Sequence, residues 1–276
     1  MITKAYTDES DPSSNLMLVD VHAHLDHSWF GDELDAVISR AKKAGVRVII
    51  QNGVNPETNR LSLEMAKKYD IVKVALGIYP IDALNKEIEE GEYPLRGNKF
   101  DVNEELEFIG KQKDQIIALG EVGLDDFHVK GKLESQKKTF QKIIELAEKI
   151  KKPLIVHSRD AEKEVIDMLE SSKCKKVDMH CFSGNMKLVK RAADLGFHFS
   201  IPTSVVYNMH FKEIVKRVGI NQILTETDAP YLGPVKGERN EPVYIAQSIK
   251  TIAELKSFTV EECANNIFLN YKRLFE

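Results

Sequence analysis

LMLVDVHAHLD, residues 16–26, begins as an apolar run and breaks into His22, His24 and Asp26. A run rich in Val and Leu marks a strand covered on both faces, and the polar residues mark where it ends. The same grammar recurs along the chain. With LMLVDV (16–21) it predicts strands at VRVIIQ (46–51), VKVALGI (72–78), IIALGE (116–121), PLIVHS (153–158), KVDMHC (176–181), FHFSIP (197–202) and QILTET (222–227). Amphipathic segments fill the intervals. DELDAVISRAKKAG puts Leu34, Val37, Ile38 and Ala41 on one face and stops at Gly45. LESQKKTFQKIIELAEKIKKP aligns Phe140, Ile143, Ile144 and Ala147 and stops before Pro153. Eight strand–helix repeats predict an α/β fold, a (β/α)8 TIM barrel. An extra C-terminal helix is expected over 259–270, with Thr259 as its N-cap ahead of Glu262.

A chain of 276 residues suits one such barrel domain, expected over 16–276 behind a polar, flexible lead-in at 1–15. Residues 85–99, with Gly91, Pro94 and Gly97, are too polar and too long for a tight connection and predict an inserted loop over one side of the mouth. No apolar run approaches the ~20 residues of a membrane span, and the lead-in lacks the basic-then-apolar pattern of a secretory signal. Cys174, Cys181 and Cys263 are odd in number and scattered, so no disulfide framework is indicated. A cytoplasmic protein with no membrane attachment and no obligatory protein partner is expected. The formal charge of −4 gives no bulk attraction to nucleic acid. A phosphate-bearing substrate would have to be held by metal ions and a few local basic residues.

Barrel active sites lie at the carboxyl ends of the strands. His22 and His24, Glu121, His157, His180 and Asp228 end predicted strands 1, 4, 5, 6 and 8. Imidazoles and carboxylates gathered there would repel or stay unpaired without a positive partner, and two divalent metal ions supply one. His22 and His24 are two residues apart, so on an extended backbone they face the same way and can grip one ion. Glu121 can offer one oxygen to each of two ions, and Gly123 after it would let backbone approach a ligand. Asp228 can bind a metal and accept a proton from the attacking water, although an aspartate before Ala229-Pro230 also suits a plain turn cap. Asp20 shares the parity of the histidine pair and either orients a ligand imidazole or bonds neighbouring backbone. Glu226 shares the parity of Asp228 and reads as a supporting carboxylate. Arg159, two beyond His157, is read as a substrate-binding residue whose fork suits a phosphate or carboxylate. An ion pair with Asp160 or Glu162 is its plainer alternative. His27, His198 and His210 read as structural, His128 as a distant candidate for substrate contact, and Cys181 as a core thiol on the opposite strand face.

With VDVHAHLD, GIYP, GEVGLD, HSRDA, HCFSG and ETDAPYL followed by RNEP in this order, the chain resembles the TatD family of metal-dependent deoxyribonucleases, within the amidohydrolase-like barrels. The resemblance runs from about Leu18 to the C-terminus. It implies one metal held by His22, His24, Glu121 and Asp228, and a second held by Glu121, His157 and His180. It also implies hydrolysis of DNA phosphodiesters, trimming from 3′ ends or acting on single strands (a 3′–5′ exonuclease), with Mg²⁺, Mn²⁺ or Zn²⁺. Asp228 and Glu121 would be catalytic, activating water at the dinuclear site. The chain departs from the family pattern at Tyr79, where a histidine is usual, and in a short GPVKGE loop at 233–238. Lys130, Lys132, Lys236 and Arg239 fall in predicted mouth loops and could track a strand. The competing enzyme reading is a deacylase or lactonase acting on a small substrate, because the same ions polarise a carbonyl. A third reading is a barrel that only binds, against which stands the full set of ligand-type residues.

Overall fold

The computed structural model describes residues 16–84, 87 and 99–276. The expected lead-in (1–15) and most of the expected inserted loop (85–99) lie outside the described residues. Eight parallel strands form one sheet in sequential order: β1 (Leu18–Ala23), β2 (Val46–Asn52), β3 (Val72–Leu76), β4 (Ala118–Asp125), β5 (Leu154–Arg159), β6 (Val177–His180), β7 (His198–Pro202) and β8 (Ile223–Glu226). Each is followed by a helix on the outside: α1 (Leu34–Lys43), α2 (Pro56–Lys68), α3 (Val102–Lys111), α4 (Leu133–Ile150), α5 (Glu162–Glu170), α6 (Met186–Asp194), α7 (Met209–Arg217) and α8 (Ile245–Lys256). Among the described residues this is the (β/α)8 barrel, with a further helix, α9 (Val260–Phe275), after α8.

The barrel closes where β8 returns to β1. The Asp228 N–H donates to the His22 carbonyl and the His24 N–H to the Ala229 carbonyl, each at 2.8 Å. The Thr225 hydroxyl donates to the Val19 carbonyl at 2.6 Å. Asp20 completes the seam by accepting from the Thr227 N–H (2.8 Å), the Thr227 hydroxyl (2.6 Å) and the His22 N–H (3.3 Å). Of its two expected roles Asp20 therefore takes the backbone-bonding one. Burial pushes its carboxyl up to about 7 despite these bonds.

The helices pack as their periodicity requires. Val37, Ile38 and Ala41 of α1, and Phe140, Ile143, Ile144 and Ala147 of α4, are all buried. Burying one such large side chain contributes about 1.5–3 kcal/mol before entropy is counted. Helix α9 starts at a reciprocal cap between Thr259 and Glu262 and runs five residues beyond the expected 270. Asn270 pins it to the amino-terminal end of β8, donating to the Ile220 and Ile223 carbonyls at 2.6 and 2.8 Å. Among the described residues no helix is long and apolar enough to cross a membrane.

One strand differs from expectation in a way that matters for the site. The sequence predicts that strand 4 stops at Glu121, but β4 continues to Asp125 and pairs Gly123 with His157 and Asp125 with Arg159. Gly123 makes this possible. Its φ is +141°, and a Cβ there would collide with the His157 carbonyl oxygen. The close approach it permits is to the neighbouring strand rather than to a ligand.

Candidate metal centre

All six residues singled out from the sequence lie at the carboxyl end of the barrel, within reach of one another. His22 Nε2 and His24 Nε2 are 3.2 Å apart. The Asp228 Oδ1 is 3.7 and 3.6 Å from those two nitrogens. Asp228 has a left-handed backbone (φ +54°) and its carbonyl begins a turn closed by the Tyr231 N–H, while its carboxylate stands at the two imidazoles, so the turn role and the place in the cluster coexist. Glu121 stands between two groups. Its Oε2 is 3.6 and 3.3 Å from His22 Nε2 and His24 Nε2. Its Oε1 is 2.9 Å from His157 Nδ1 and 4.0 Å from His180 Nε2. The His22 and His180 rings stack at 3.6 Å between centroids.

Three of the four imidazoles are oriented from behind. His24 Nδ1 lies 3.1 Å from the Asn52 carbonyl, His180 Nδ1 lies 2.7 Å from Glu226 Oε2, and His157 Nε2 lies 3.0 Å from Asp125 Oδ2. A proton on each of these nitrogens leaves the other one presenting a lone pair to the centre. Glu226 acts as the supporting carboxylate expected of it. Asp125 was missed, because it lay beyond the assumed end of strand 4. The available signal was parity: Asp125 is four residues after Glu121, so on one strand both face the same way. Asp125 is itself held by the Tyr79 hydroxyl (3.0 Å), His128 Nδ1 (2.8 Å) and the N–H groups of Phe127 (3.0 Å) and His128 (2.9 Å). Tyr79, the departure from the family pattern, thus backs a candidate ligand through Asp125.

The electrostatics ask for positive charge. Burial alone would raise the Glu121 carboxyl, but hydrogen bonds from His157, His22 and His24 outweigh it and hold the group well below its ordinary range. Burial alone would lower His180, but Glu226, Asp228 and Glu121 overcome it and raise the imidazole to about 10. His24 and His157 are raised for the same kind of reason. His22 moves the other way: burial lowers it, reinforced by His180. The surrounding carboxylates thus favour the charged form of three imidazoles, an attraction for positive charge that a cation at the centre would satisfy. A buried set of imidazole nitrogens and carboxylate oxygens of this kind fits divalent metal ions. Two triads bring their donor atoms close together: His22, His24 and Asp228, and His22, Glu121 and His180.

The cluster opens into a cavity of about 540 Å³ whose walls include Tyr79, His128, Arg159, Cys181 and Tyr231. Arg159 pairs with neither Asp160, which binds Lys130 at 3.2 Å, nor Glu162, which accepts from the Ser183 hydroxyl at 2.6 Å. Its guanidinium lies 4.2 Å over the Phe127 ring, on the cavity wall. Cys181 packs against the core, as expected, and also reaches the cavity wall. The left-handed backbone at Cys181 (φ +43°) turns the chain just past β6 and brings the side chain to the cavity. Burial, reinforced by Glu226, Asp228 and Glu121, pushes its thiol well above the ordinary range, so it stays protonated. Arg239 is reassigned: it donates to the Trp29 carbonyl (2.7 Å), Glu33 (2.7 Å) and Glu241 (2.8 Å), a structural tie rather than a strand-tracking cation.

Comparison with known proteins agrees with this architecture. Residues 19–276 match the family model described as TatD related DNase. An uncharacterized metal-dependent hydrolase of Bacillus subtilis, YabD, is 34% identical over 94% of this chain and 99% of its own. The deoxyribonuclease TATDN3 of Homo sapiens is 33% identical over 94% of each chain. The crystal structure of YjjV, a TatD homologue from Escherichia coli K12, superposes with a TM-score of 0.82 at 25% identity, covering 94% of this chain and 97% of that one. The chain belongs to the TatD-related DNase family of (β/α)8 barrels and is a metal-dependent hydrolase.

Proposed function

We propose that this hydrolase cleaves DNA phosphodiester bonds at a dinuclear divalent metal site, shortening strands from the 3′ end. The observation that carries the reading is the placement of Glu121, whose Oε2 faces His22 and His24 while Oε1 faces His157 and His180. A carboxylate so placed suits a bridge between two ions. His22, His24, Glu121 and Asp228 would hold one, and Glu121, His157 and His180 the other. The ions (Mg²⁺, Mn²⁺ or Zn²⁺) would supply Lewis acidity, neutralise the scissile phosphate and lower the pKa of the attacking water.

The chain's own residues do the rest. Asp228, half-buried on the cavity wall, accepts the proton of the attacking water. The water oxygen bonds to phosphorus, the bond to the leaving sugar oxygen breaks, and that oxygen takes up a proton from solvent in the cavity while Asp228 returns the one it accepted. Arg159, fixed against Phe127, offers its fork to a non-bridging phosphate oxygen. Asn52, Asp125 and Glu226 keep the imidazoles in register, so little reorganisation is needed as charge develops.

The test is digestion of end-labelled single-stranded DNA with Mn²⁺ or Mg²⁺, beside a chelator control and the His157→Ala protein. Shortening from the 3′ end, abolished by both controls, is expected. DNA left intact while a small amide, ester or lactone is hydrolysed would replace this reading with the deacylase or lactonase one.

A further inference from the structure

The sequence contains a single tryptophan, and the fold does not bury it. Trp29 is 56% exposed on the loop after β1, five residues beyond His24. Its backbone is nonetheless fixed. The Trp29 N–H donates to His27 Nδ1 at 3.1 Å, and its carbonyl accepts from Arg239 at 2.7 Å. The same loop is tied to β2, with the Leu25 N–H donating to Gln51 Oε1 at 2.6 Å. The ring beside it is Tyr231, 37% exposed, three residues beyond Asp228 and on the wall of the cavity. His27 stands edge-on to both, with centroids 5.3 Å from Trp29 and 5.6 Å from Tyr231. The Trp29 and Tyr231 rings lie 6.1 Å apart at a tilt of 54°.

An exposed aromatic pair on a held backbone, at the lip of a catalytic cavity, is built to meet a flat partner. We propose that Trp29 and Tyr231, propped by His27, form a stacking site for an unpaired nucleobase of the strand whose phosphate lies against the imidazole and carboxylate cluster. The inference rests on the phosphodiesterase reading and adds a base-reading element to it. Charge favours this occupant. At a net −4 the chain does not hold a polyanion by bulk attraction, so the grip on a strand must come from elsewhere, and base stacking supplies it without sequence preference. Position favours it too. Both rings sit on loops carrying candidate ligands, so a nucleotide with its phosphate at Asp228 projects its base toward them.

Because Trp29 is the one tryptophan, its fluorescence reports the site directly. Metal-loaded protein is titrated with a phosphorothioate-linked thymidine strand, chosen to resist cleavage, and with an abasic strand of equal length and charge. The base-bearing strand should quench Trp29 saturably and bind at least about tenfold more tightly than the abasic one. Read by the anisotropy of a fluorescein-labelled strand, since two of these variants lack the tryptophan, Trp29→Ala and Tyr231→Ala should each bring the two affinities together, while Trp29→Phe should keep most of the difference. Equal affinities for the two strands in the unaltered protein would overturn the stacking site and leave the phosphodiesterase reading standing. Failure of the same preparation to bind or cleave any natural strand would overturn both. A shift of Trp29 emission with protein concentration alone would assign the patch to a second copy of the chain and overturn the inference.

Discussion

Around the β1–β8 seam, His22, His24 and Asp228 are placed by backbone. Their own N–H and carbonyl groups bridge the two strands at 2.8 Å, and buried Asp20 ties Thr227 to the strand that carries both histidines. Across the mouth, the His157 ring is placed by side chains. It leans on Asp125, which is held in turn by Tyr79, His128 and two N–H groups of the following loop. The first arrangement is tied into the backbone ladder that closes the barrel, so a change there registers as lost stability. The second can be retuned one residue at a time. Glu121 belongs to both regions and should be the most sensitive position of all.

The comparison can be broken at four points. Glu121→Gln removes the charge that both regions share. It should lower kcat/KM on the order of 10³-fold or more, above the roughly 10–100-fold typical of a residue that only backs a ligand. Metal analysis of the purified protein should show loss of ions from both positions. On the dinuclear reading, Asp125→Asn should weaken only one of two ions, by about 10–100-fold in a binding titration, because His157 loses its orienting carboxylate. Equal weakening of both ions would contradict the division into two regions. Asp20→Ala should do the reverse. It leaves the buried Thr227 N–H and hydroxyl without their acceptor and should cost about 1–3 kcal/mol in urea denaturation. Metal stoichiometry should be kept, and a loss of metal without loss of stability would refute the structural role. Tyr79→Phe should be the mildest. Asp125 keeps its other donors, so the same ion should weaken by only roughly two- to fivefold.

Much of this was legible in the sequence because buried parallel strands announce themselves as apolar runs, and the ligand-type residues punctuate those runs. Helices α1 and α4 were equally plain, since their apolar stripes fall at helical spacing. What escaped depended on backbone conformation. Gly123 carries β4 four residues past its predicted end, so Asp125 sat unrecognised in an assumed turn. A left-handed backbone at Cys181, just past the end of β6, lets the thiol reach the cavity wall as well as the core, which strand parity alone does not predict. Arg239 shows a third limit: which neighbour a long cationic side chain chooses depends on loops far apart in the sequence that the barrel brings side by side. The role of Tyr79 was hidden for the same reason, since its partner Asp125 comes from the next strand of the barrel.

The most direct test of the dinuclear reading is an anomalous difference map from crystals grown with Mn²⁺. Two peaks should flank the Glu121 carboxylate, one against His22, His24 and Asp228 and the other against His157 and His180. A single peak, or peaks that leave Glu121 uncoordinated, would contradict it.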